Sequence, residues 1–563
     1  MVKTPYFLLF LGALFLGLIE SKAQEKQIQI VYGANFTKNE SQFPGASIFS
    51  KDKQQVQFRH QGADLWCDVA IFYPEENRIK AKGNIKLIQG DSIFMNAGSL
   101  DYNGVTQLAK SWDQVSLRNS DMTLTPSDTL YFNRVSQEAF YNKKGTIVNA
   151  ENTLTSDMGR YFLTTKKYRF ISRVEIVNPQ YKLRSAQLDY YTDSKNAYMY
   201  GPSTIYGQDY TFYCERGFYN TLVESGYGIK NTKINYNNRI IEGDSVYFNK
   251  RRQFASATNN IVVTDTINNG VIRAHYAEVF KAKDSLFATK KAVSISLVEK
   301  DSLYMHGDTI MLTGKPDARI LRAFRGAKFY KTDLSGKCDS IHFDQKTGLT
   351  QLVNRPIIWN GENQMTGDII HLRSDPITKS MDSLEVLNNA FIVSLDSIRK
   401  KGYNQAKGKD MFGSFENNAL RFLRLIKNTE LIYYLYDSDQ ELMGINKTIC
   451  SEIEIEMVQN EISEITFITA PDGTIYPLSE IPVLDRKLEG FVWYGSERIK
   501  TKEDIFDKDD LNIKLVKING LENAIDMELI KEAVLGDKTN AQKNNTPQNS
   551  PKNTAKASGS KQK

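Results

Sequence analysis

The stretch EGDSVYFNKRRQFASATNNIVVTD, residues 242–265, shows the pattern that decides the fold. Val246 and Phe248 alternate with polar or mixed positions, and such alternation places one face of a β-strand inside the protein and the other in solvent. A polar turn and a second apolar strand follow. A unit of about thirty residues with two strands and two turns has no room for a crossover helix, so neighbouring strands are expected to be antiparallel.

The same unit recurs along the chain. When its copies are aligned on the acidic residue, four successive intervals are 29 residues long. A fixed period of this length indicates a repeat architecture, in which each unit buries its apolar face against its neighbours. Copies include QGDSIFM at Gln89, PSDTLYF at Pro126, HGDTIML at His306, KCDSIHF at Lys337 and TGDIIHL at Thr366. The aligned positions, here called anchors, are Asp91, Asp128, Asp157, Ala186, Glu215, Asp244, His275, Asp308, Asp339, Asp368 and Asp410.

Residues two and four positions after each anchor are mostly aliphatic or aromatic, so we predict that they face inwards. The predicted fold is all-β: an elongated β-jellyroll or solenoid-like stack of antiparallel strands built from repeats of about 29–31 residues. If each repeat gives one strand to each of two walls, eleven repeats at about 4.8 Å per strand span on the order of 50 Å.

The two ends of the chain differ from the repeats. Lys3 and an apolar stretch precede a small-x-small site formed by Ser21 and Ala23, which predicts a secretory signal peptide cleaved after Ala23. An uncleaved anchor is the alternative, but the apolar stretch is shorter than the roughly 20 residues of a spanning helix. Residues 536–563 are rich in Asn, Lys and Ser, and we expect this tail to be disordered.

The charge is concentrated at these ends. The formal net charge is +6, of which the tail contributes +5 and the signal peptide +1. The rest of the chain is therefore neutral, which argues against a nucleic-acid-binding protein, because such a protein needs a basic face.

No catalytic or cofactor-binding motif is present in the sequence. His342 and His371 occupy the same repeat position, but a zinc site would need further ligands at fixed geometry. The acidic anchors could form a calcium-binding ladder; turn or strand-start residues are the favoured interpretation. We therefore predict no enzyme activity, no cofactor and no metal site. The widely spaced cysteines are expected to be isolated buried thiols: Cys67, Cys214, Cys338 and Cys450.

Several segments resemble the OstA/LptA family, the periplasmic lipopolysaccharide-transport proteins of double-membraned bacteria. AKGNIKLIQGDSIFMNAGSLDYNG, residues 81–104, resembles the family's N-terminal repeat. The resemblance extends from about Gln54 to Ser397, and more loosely to about Thr501, although this chain is much longer than the small bridging members. Further matching segments are NTLTSDMGRY at Asn152, YGPSTIYG at Tyr200, YCERGFYNT at Tyr213, EGDSVYFNK at Glu242, GKCDSIHF at Gly336, NQMTGDIIHL at Asn363 and NNAFIVSLDS at Asn388.

The resemblance implies a jellyroll whose hydrophobic groove holds the acyl chains of lipopolysaccharide. It also implies head-to-tail pairing with other transport jellyrolls through edge strands, a periplasmic location beside the outer membrane, and membrane association through partners only. Candidate groove-lining residues are the inward pairs of the early repeats: Ile93, Met95, Leu130, Phe132, Leu188, Tyr190, Val246 and Phe248.

Two other functions compete with this carrier hypothesis. A structural scaffold with a closed β-solenoid would bind envelope proteins and no lipid, and its interior would be fully packed. A carbohydrate-active enzyme on a β-helix is weaker, since it needs carboxylates clustered on one surface. The expected organisation is a signal peptide (1–23), OstA/LptA-like jellyroll repeats (24–300), a second OstA-like jellyroll region (301–500), a C-terminal cap with a short helix (501–535) and the disordered tail (536–563).

Overall fold

The structure, a computed structural model, describes residues 27–519 except residues 121, 237, 299, 300, 418, 459 and 460. Within these residues forty strands form antiparallel pairs, which confirms the predicted all-β class and the antiparallel arrangement. The predicted signal peptide, the short helix expected within residues 520–535 and the disordered tail lie outside the described residues.

The strands of the N-terminal third are mostly short. They are β1 (Gln29–Tyr32), β2 (Asn35–Thr37), β3 (Ser47–Ser50), β4 (Val56–His60), β5 (Ala63–Cys67), β6 (Val69–Tyr73), β7 (Arg78–Gln89), β8 (Ile93–Asn103), β9 (Leu108–Trp112), β10 (Ser116–Arg118), β11 (Thr123–Pro126), β12 (Leu130–Asn133), β13 (Glu138–Tyr141), β14 (Gly145–Val148), β15 (Thr153–Ser156) and β16 (Met158–Phe162).

The middle of the chain alternates long strands with pairs of shorter ones. These strands are β17 (Lys167–Asn178), β18 (Tyr181–Tyr191), β19 (Asn196–Gly207), β20 (Tyr210–Asn220), β21 (Ser225–Tyr236), β22 (Arg239–Asn249), β23 (Phe254–Asp265), β24 (Gly270–Phe280), β25 (Ser285–Thr289), β26 (Val293–Val298), β27 (Asp301–His306), β28 (Thr309–Thr313), β29 (Ile320–Lys331), β30 (Leu334–Asp344), β31 (Leu349–Val353), β32 (Ile357–Asn360), β33 (Asn363–Thr366) and β34 (Ile369–Ser374).

The last part of the sheet has four long strands of 14 to 18 residues, followed by two shorter strands. The strands are β35 (Met381–Leu395), β36 (Tyr403–Glu416), β37 (Ala419–Tyr436), β38 (Leu442–Val458), β39 (Glu461–Ile468) and β40 (Asp472–Tyr476). One helix, α1 (Lys508–Leu511), and 3-10 turns at Lys281–Lys283, Val483–Arg486 and Gly495–Glu497 are also present. None of the helices in the described part of the chain is long and apolar enough to cross a membrane.

The pairing of β17 with β18 shows how the strands are arranged. The two strands pair in two stretches, separated by a register shift at Ser172 and Arg173. Both residues have positive φ, 64° and 48°, and this double bulge bends the strand sharply. Residues 167–171 belong to one part of the sheet, called wall 1, where the strand pairs with β16, and residues 174–178 belong to a second part, called wall 2, where it pairs with β15. The strand therefore crosses from wall to wall through a corner.

The corner recurs in every second long strand, and an anchor lies opposite it. The amide of Asp157 donates to the carbonyl of Ser172 (3.0 Å), and the amide of Asp339 donates to the carbonyl of Asn354 (3.1 Å). Each repeat thus gives two strands to each wall, so the estimate of one strand per wall was wrong. A repeat lengthens the sheets by roughly 10 Å instead of about 5 Å. Further corners with positive φ lie at residues 83–84, 113–114, 230–231, 259–260, 290–291, 325–326, 354–355, 388–389, 427–428 and 469–470.

Two anchors of the sequence alignment are out of register with these corners. Asp91 lies in the tight turn between β7 and β8, and the corner residue of β8 is Gly98, whose amide donates to the carbonyl of Asp113. Asp91 lies 37 residues before Asp128, whereas Gly98 lies 30 residues before it. With Gly98 as the first anchor, the first interval therefore agrees with the others. Gly-Asp pairs are favoured both in turns and at corners. The sequence alignment therefore matched the Gly-Asp pair of this turn with the Gly-Asp pairs of the corners.

The anchor at Asp410 is displaced by one residue. Leu387 pairs with Asp410 and Ala390 with Gly408, so Lys409 lies opposite the bulge. The side chains after it therefore alternate in the opposite phase, and Phe412 is 38% exposed while Met411 is buried. A one-residue shift reverses which face of a strand a side chain occupies.

One apolar cluster fills the space between the walls, from Ile28 to Met457. Strand pairing continues across residue 300, where one jellyroll region was expected to end, because β24 pairs with β26 and β27 pairs with β29. The core of the described residues therefore follows the whole length of the two walls.

Residues 477–519, here called the strap, leave the sheets and run back along the outer face of wall 2. The amides of Leu488, Tyr494 and Val516 bond the side chains of Gln405, Gln364 and Asn259 respectively. A terminating cap was expected in this part of the sequence; the structure instead shows a covering for an apolar outer surface. That surface includes Phe391, Val393, Ile432, Tyr434 and Ile445, which pack against Ile481 and Leu488 of the strap.

Candidate functional site

The eight candidate groove residues all belong to the core between the walls. Ile93 and Met95 lie on wall 2, and the other six lie on wall 1. Tyr190 and Phe248 are half-buried against the core, and the remaining six are buried. Phe132 is fully buried, whereas its neighbour Tyr131 stacks on Phe140 at the outer face. The inward orientation follows the predicted alternation, and contact with lipid stays a prediction.

A cavity of about 450 Å³ lies between the walls in the region of residues 239–415. This volume falls within the roughly 300–1,000 Å³ of small-molecule pockets. None of the eight candidate residues lines the cavity. Its apolar lining includes Val263, Ile272, Met305, Phe329 and Leu334 on wall 2, and Leu286, Leu312, Leu321, Ile341, Phe343 and Leu372 on wall 1.

The sequence contains one signal that coincides with this cavity. The anchor intervals from Asp244 to Asp339 are 31, 33 and 31 residues, whereas the four preceding intervals are 29 residues. The extra residues lengthen the turns, including the turn at residues 314–319. Longer turns allow the walls to stand apart at their edges, so the change of period marks the place where the interior widens.

The turns form two rims that face each other across the interior, and side chains tie the rims together. Arg134 on the wall 1 rim donates to Gln89 Oε1 (2.9 Å), to the Tyr102 hydroxyl (2.8 Å) and to the carbonyl of Gln61 (2.8 Å). Lys281 lies 3.3 Å from Asp209 on the opposite rim. These contacts join the rims through side chains and not through pairing of strands.

A third tie lies at the mouth of the cavity. Nη2 of Arg319, on the wall 1 rim, lies 3.0 Å from Oδ2 of Asp265, on the wall 2 rim, and both side chains are largely buried. Arg239 is the strand neighbour of Asp265 and also lines the cavity. Burial and the nearby charge of Arg319 lower the pKa of Arg239. Arg239, Arg319 and Asp265 thus lie together at the mouth, while Lys331 and Asp333, which also line the cavity, form an ion pair of their own.

Most of the acidic anchors occupy corners, where several of them pair with polar side chains of the next strand. Asp157 accepts hydrogen bonds from Ser172 and Arg173, and Asp368 accepts them from Asn389. Within the described residues, no group of three or more His, Cys, Asp or Glu side chains is placed to hold a metal ion. The hydrogen bonds of Asp157 and Asp368 join neighbouring strands at the corners.

Acidification is expected to weaken these corners. The hydrogen bond from Arg173 lowers the pKa of Asp157 below its ordinary value of 3.8. A carboxylate with a lowered folded-state pKa stabilises the fold above its unfolded pKa, and this contribution is lost as the pH falls through the folded-state pKa. Thermal denaturation at a series of pH values should show a falling midpoint below about pH 4. Asp157→Asn should show a shallower fall than Asp317→Asn, a control in an exposed turn; equal slopes would contradict the role of Asp157.

His342 and His371 lie on the outer face of wall 1, two strands apart. Gln351 lies between them and is the strand partner of both. Two strand spacings amount to about 9.6 Å, which is too far for one zinc ion. His371 instead contacts Gln351 (3.2 Å) and Glu385 (3.1 Å).

All four cysteines lie directly before a corner residue, and all are free and buried. This confirms the expected isolated thiols. Cys338 and Cys450 donate to the carbonyl two residues ahead (3.2 and 3.1 Å), and Ser185 donates to the equivalent carbonyl at another corner (2.7 Å). Burial raises the pKa of Cys214 to about 12, so this thiol is unreactive. The position before a corner takes small residues, because the two walls converge there.

The comparisons with known proteins agree with the repeat motifs. Residues 27–186 match the family of OstA-like proteins. LptH from Pseudomonas aeruginosa, the LptA homologous periplasmic component of the conserved lipopolysaccharide transport device, is 15% identical over 26% of this chain and 99% of LptH, with a TM-score of 0.21. A TM-score this low does not establish that the two folds are alike. No curated protein matches the chain. The family match confirms the resemblance to the OstA-like proteins over residues 27–186.

Proposed function

We propose that this chain is a periplasmic, non-catalytic carrier or bridge for lipopolysaccharide, associated with the outer membrane through protein partners. The observation that supports it best is the apolar interior, which begins in the OstA-like region and widens to a cavity at residues 239–415. Long acyl chains need a continuous apolar lining. The predicted signal peptide and the family resemblance agree with this location and cargo.

The scaffold hypothesis is favoured by a different part of the same interior. Leu130, Phe132 and Leu188 have no exposed surface, as expected of a closed and packed solenoid. The packed early repeats therefore favour the scaffold hypothesis, and the cavity region favours the carrier hypothesis. We propose the cavity, within residues 239–415, as the candidate cargo site. The eight early residues would contact lipid only if the rims separate.

A photo-crosslinking amino acid can distinguish the two hypotheses. Placed at Phe343, which lines the cavity, it is expected to form an adduct with lipopolysaccharide in cells. At Phe132 or Phe248 it should do so only if the early interior opens. Adducts are detected as a mobility shift recognised by an antibody against lipopolysaccharide.

Tyr131, on the outer face of the same strand as Phe132, is the matched control. Equal labelling at Phe343 and Tyr131 would reject the cavity as the cargo site. Depletion of the protein should also stall newly made lipopolysaccharide before it reaches the outer membrane; unchanged delivery would reject the carrier hypothesis.

We further propose that the first strands pair with another jellyroll. Among the described residues, β1 pairs with β4 and β2 with β3, which leaves the other edge of β1 and β2 open. Ile30, Val31 and Phe36 on these strands are 44%, 47% and 56% exposed. An exposed apolar edge is a template for strand addition, and head-to-tail pairing would extend both walls.

A further inference from the structure

The two arginines at the mouth of the cavity differ from the other rim contacts in their hydrogen bonding. Arg319 is only 6% exposed, and its Nη2 faces Asp265. Its Nε and Nη1 are buried and have no hydrogen-bond partner among the described residues. Buried donors in native proteins are nearly always satisfied, so these two unpartnered nitrogens point to a ligand.

Asp265 cannot satisfy both guanidinium groups. Its Oδ1 already accepts the amides of Ile267 and Asn268, each at 3.1 Å. Its Oδ2 accepts the Asn268 side chain (3.2 Å) as well as Arg319. Arg239 forms no ion pair or hydrogen bond with the described residues. The nearby carboxylates of Asp265 and Asp284 act on Arg239 without a direct ion pair, and a partly buried charge without a direct partner is unfavourable.

Arg134 shows what a purely structural rim contact looks like in this fold. It is 7% exposed, almost as buried as Arg319, but each of its three nitrogens has a partner. Nε donates to Gln89, Nη1 to Tyr102 and His60, and Nη2 to Gln61. Every nitrogen of the Arg134 guanidinium therefore has a hydrogen-bond partner, whereas two nitrogens of the Arg319 guanidinium have none among the described residues.

The surroundings of Arg319 and Arg239 indicate the class of ligand. A planar guanidinium matches the oxygens of a phosphate in two parallel hydrogen bonds. Directly inside the mouth the lining is apolar, with Leu321, Phe329 and Phe343. A molecule that satisfies both parts has a phosphate group and at least one acyl chain.

We propose that Arg239 and Arg319 bind the phosphate group of an amphiphile whose acyl chain occupies the cavity. This inference rests on the proposed carrier function and adds the chemical group that the carrier recognises. The phosphate would take one of the two free donor nitrogens of Arg319, which lie on different edges of its guanidinium, together with the guanidinium of Arg239, while Asp265 keeps Arg319 in place across the rims.

The test measures dissociation constants of the purified mature chain by equilibrium dialysis. The probes are dilauroyl phosphatidic acid, dilauroylglycerol, which lacks the phosphate, and inorganic phosphate. Arg319→Gln and Arg239→Gln should each weaken phosphatidic acid binding about tenfold or more, because a charge-assisted hydrogen bond is lost. Binding of dilauroylglycerol should change little.

Three variants control for folding and for the kind of contact. Arg134→Gln should lower the melting temperature and leave the affinity for phosphatidic acid unchanged. Arg239→Gln removes no hydrogen bond or ion pair seen in the described residues, so it tests the inference even if Arg319→Gln unfolds. Arg319→Lys keeps the charge without the planar fork and should restore only part of the affinity.

The remaining outcomes separate this inference from the proposed function. If the wild type binds both amphiphiles equally and the arginine variants change nothing, the phosphate site is rejected while the carrier function stands. If the wild type binds neither amphiphile, both are rejected. Binding of inorganic phosphate alone would assign the arginines to a free anion and overturn the lipid proposal.

Discussion

Replacing Phe132 by alanine is expected to lower the free energy of unfolding by about 3–5 kcal/mol. The ring is fully buried in the main core, so the substitution removes its contacts and leaves a cavity that the two strands beside β12 cannot fill. Urea denaturation of the mature chain, followed by circular dichroism, measures the change.

Tyr131→Ala is the matched control, because Tyr131 is the next residue on the same strand and lies on the outer face. Its ring stacks on Phe140 at 4.9 Å, and loss of that contact is expected to cost about 0.5–1.5 kcal/mol. If both substitutions had equally small effects, Phe132 would not be packed, and the early repeats would form an open groove as the sequence first suggested.

Replacing Gly367 by alanine is expected to destabilise the protein by about 1–3 kcal/mol. Gly367 lies directly before the corner residue Asp368, and a Cβ atom there would lie 2.4 Å from Cγ1 of Val386. Val386 is itself fully buried, and its β-branched side chain cannot rotate away at low cost. The shift in the midpoint of urea denaturation measures the effect.

Gly243→Ala provides a control at the same position of another repeat. The nearest atom to a Cβ at Gly243 is the carbonyl oxygen of Asn259, at 3.4 Å, which is an ordinary contact. Alanine also restricts the unfolded chain, so the change should be neutral or stabilising by up to about 1 kcal/mol. Equal destabilisation at both glycines would contradict the view that crowding at the corner determines residue size.

Most of the strand pattern was predictable from the sequence, because alternation and a fixed period are local properties. In β12 and β22 the alternation identified Phe132 and Val246 as inward residues, and both are buried. The corners were not predictable, since Ser172 and Arg173 interrupt the pattern by only two residues. The alignment therefore placed Asp91 in register with corners although it lies in a turn.

The candidate site was also predictable only in part from the sequence. Inward residues of the early repeats were identified correctly as inward, but the cavity lies further along the chain and uses none of them. Arg239 and Arg319 lie 80 positions apart in the sequence and belong to different rims, and no local pattern relates them. A longer anchor interval was the available signal for this region.

The sequence by itself determined that the chain is a two-faced antiparallel repeat with an apolar side, because alternation and period reside in each unit of about thirty residues. Only the tertiary structure decided where the interior is packed and where it opens. The reason is that the separation of the walls depends on side chains that meet across the rims, such as Arg319 and Asp265, and on how tightly the corners close.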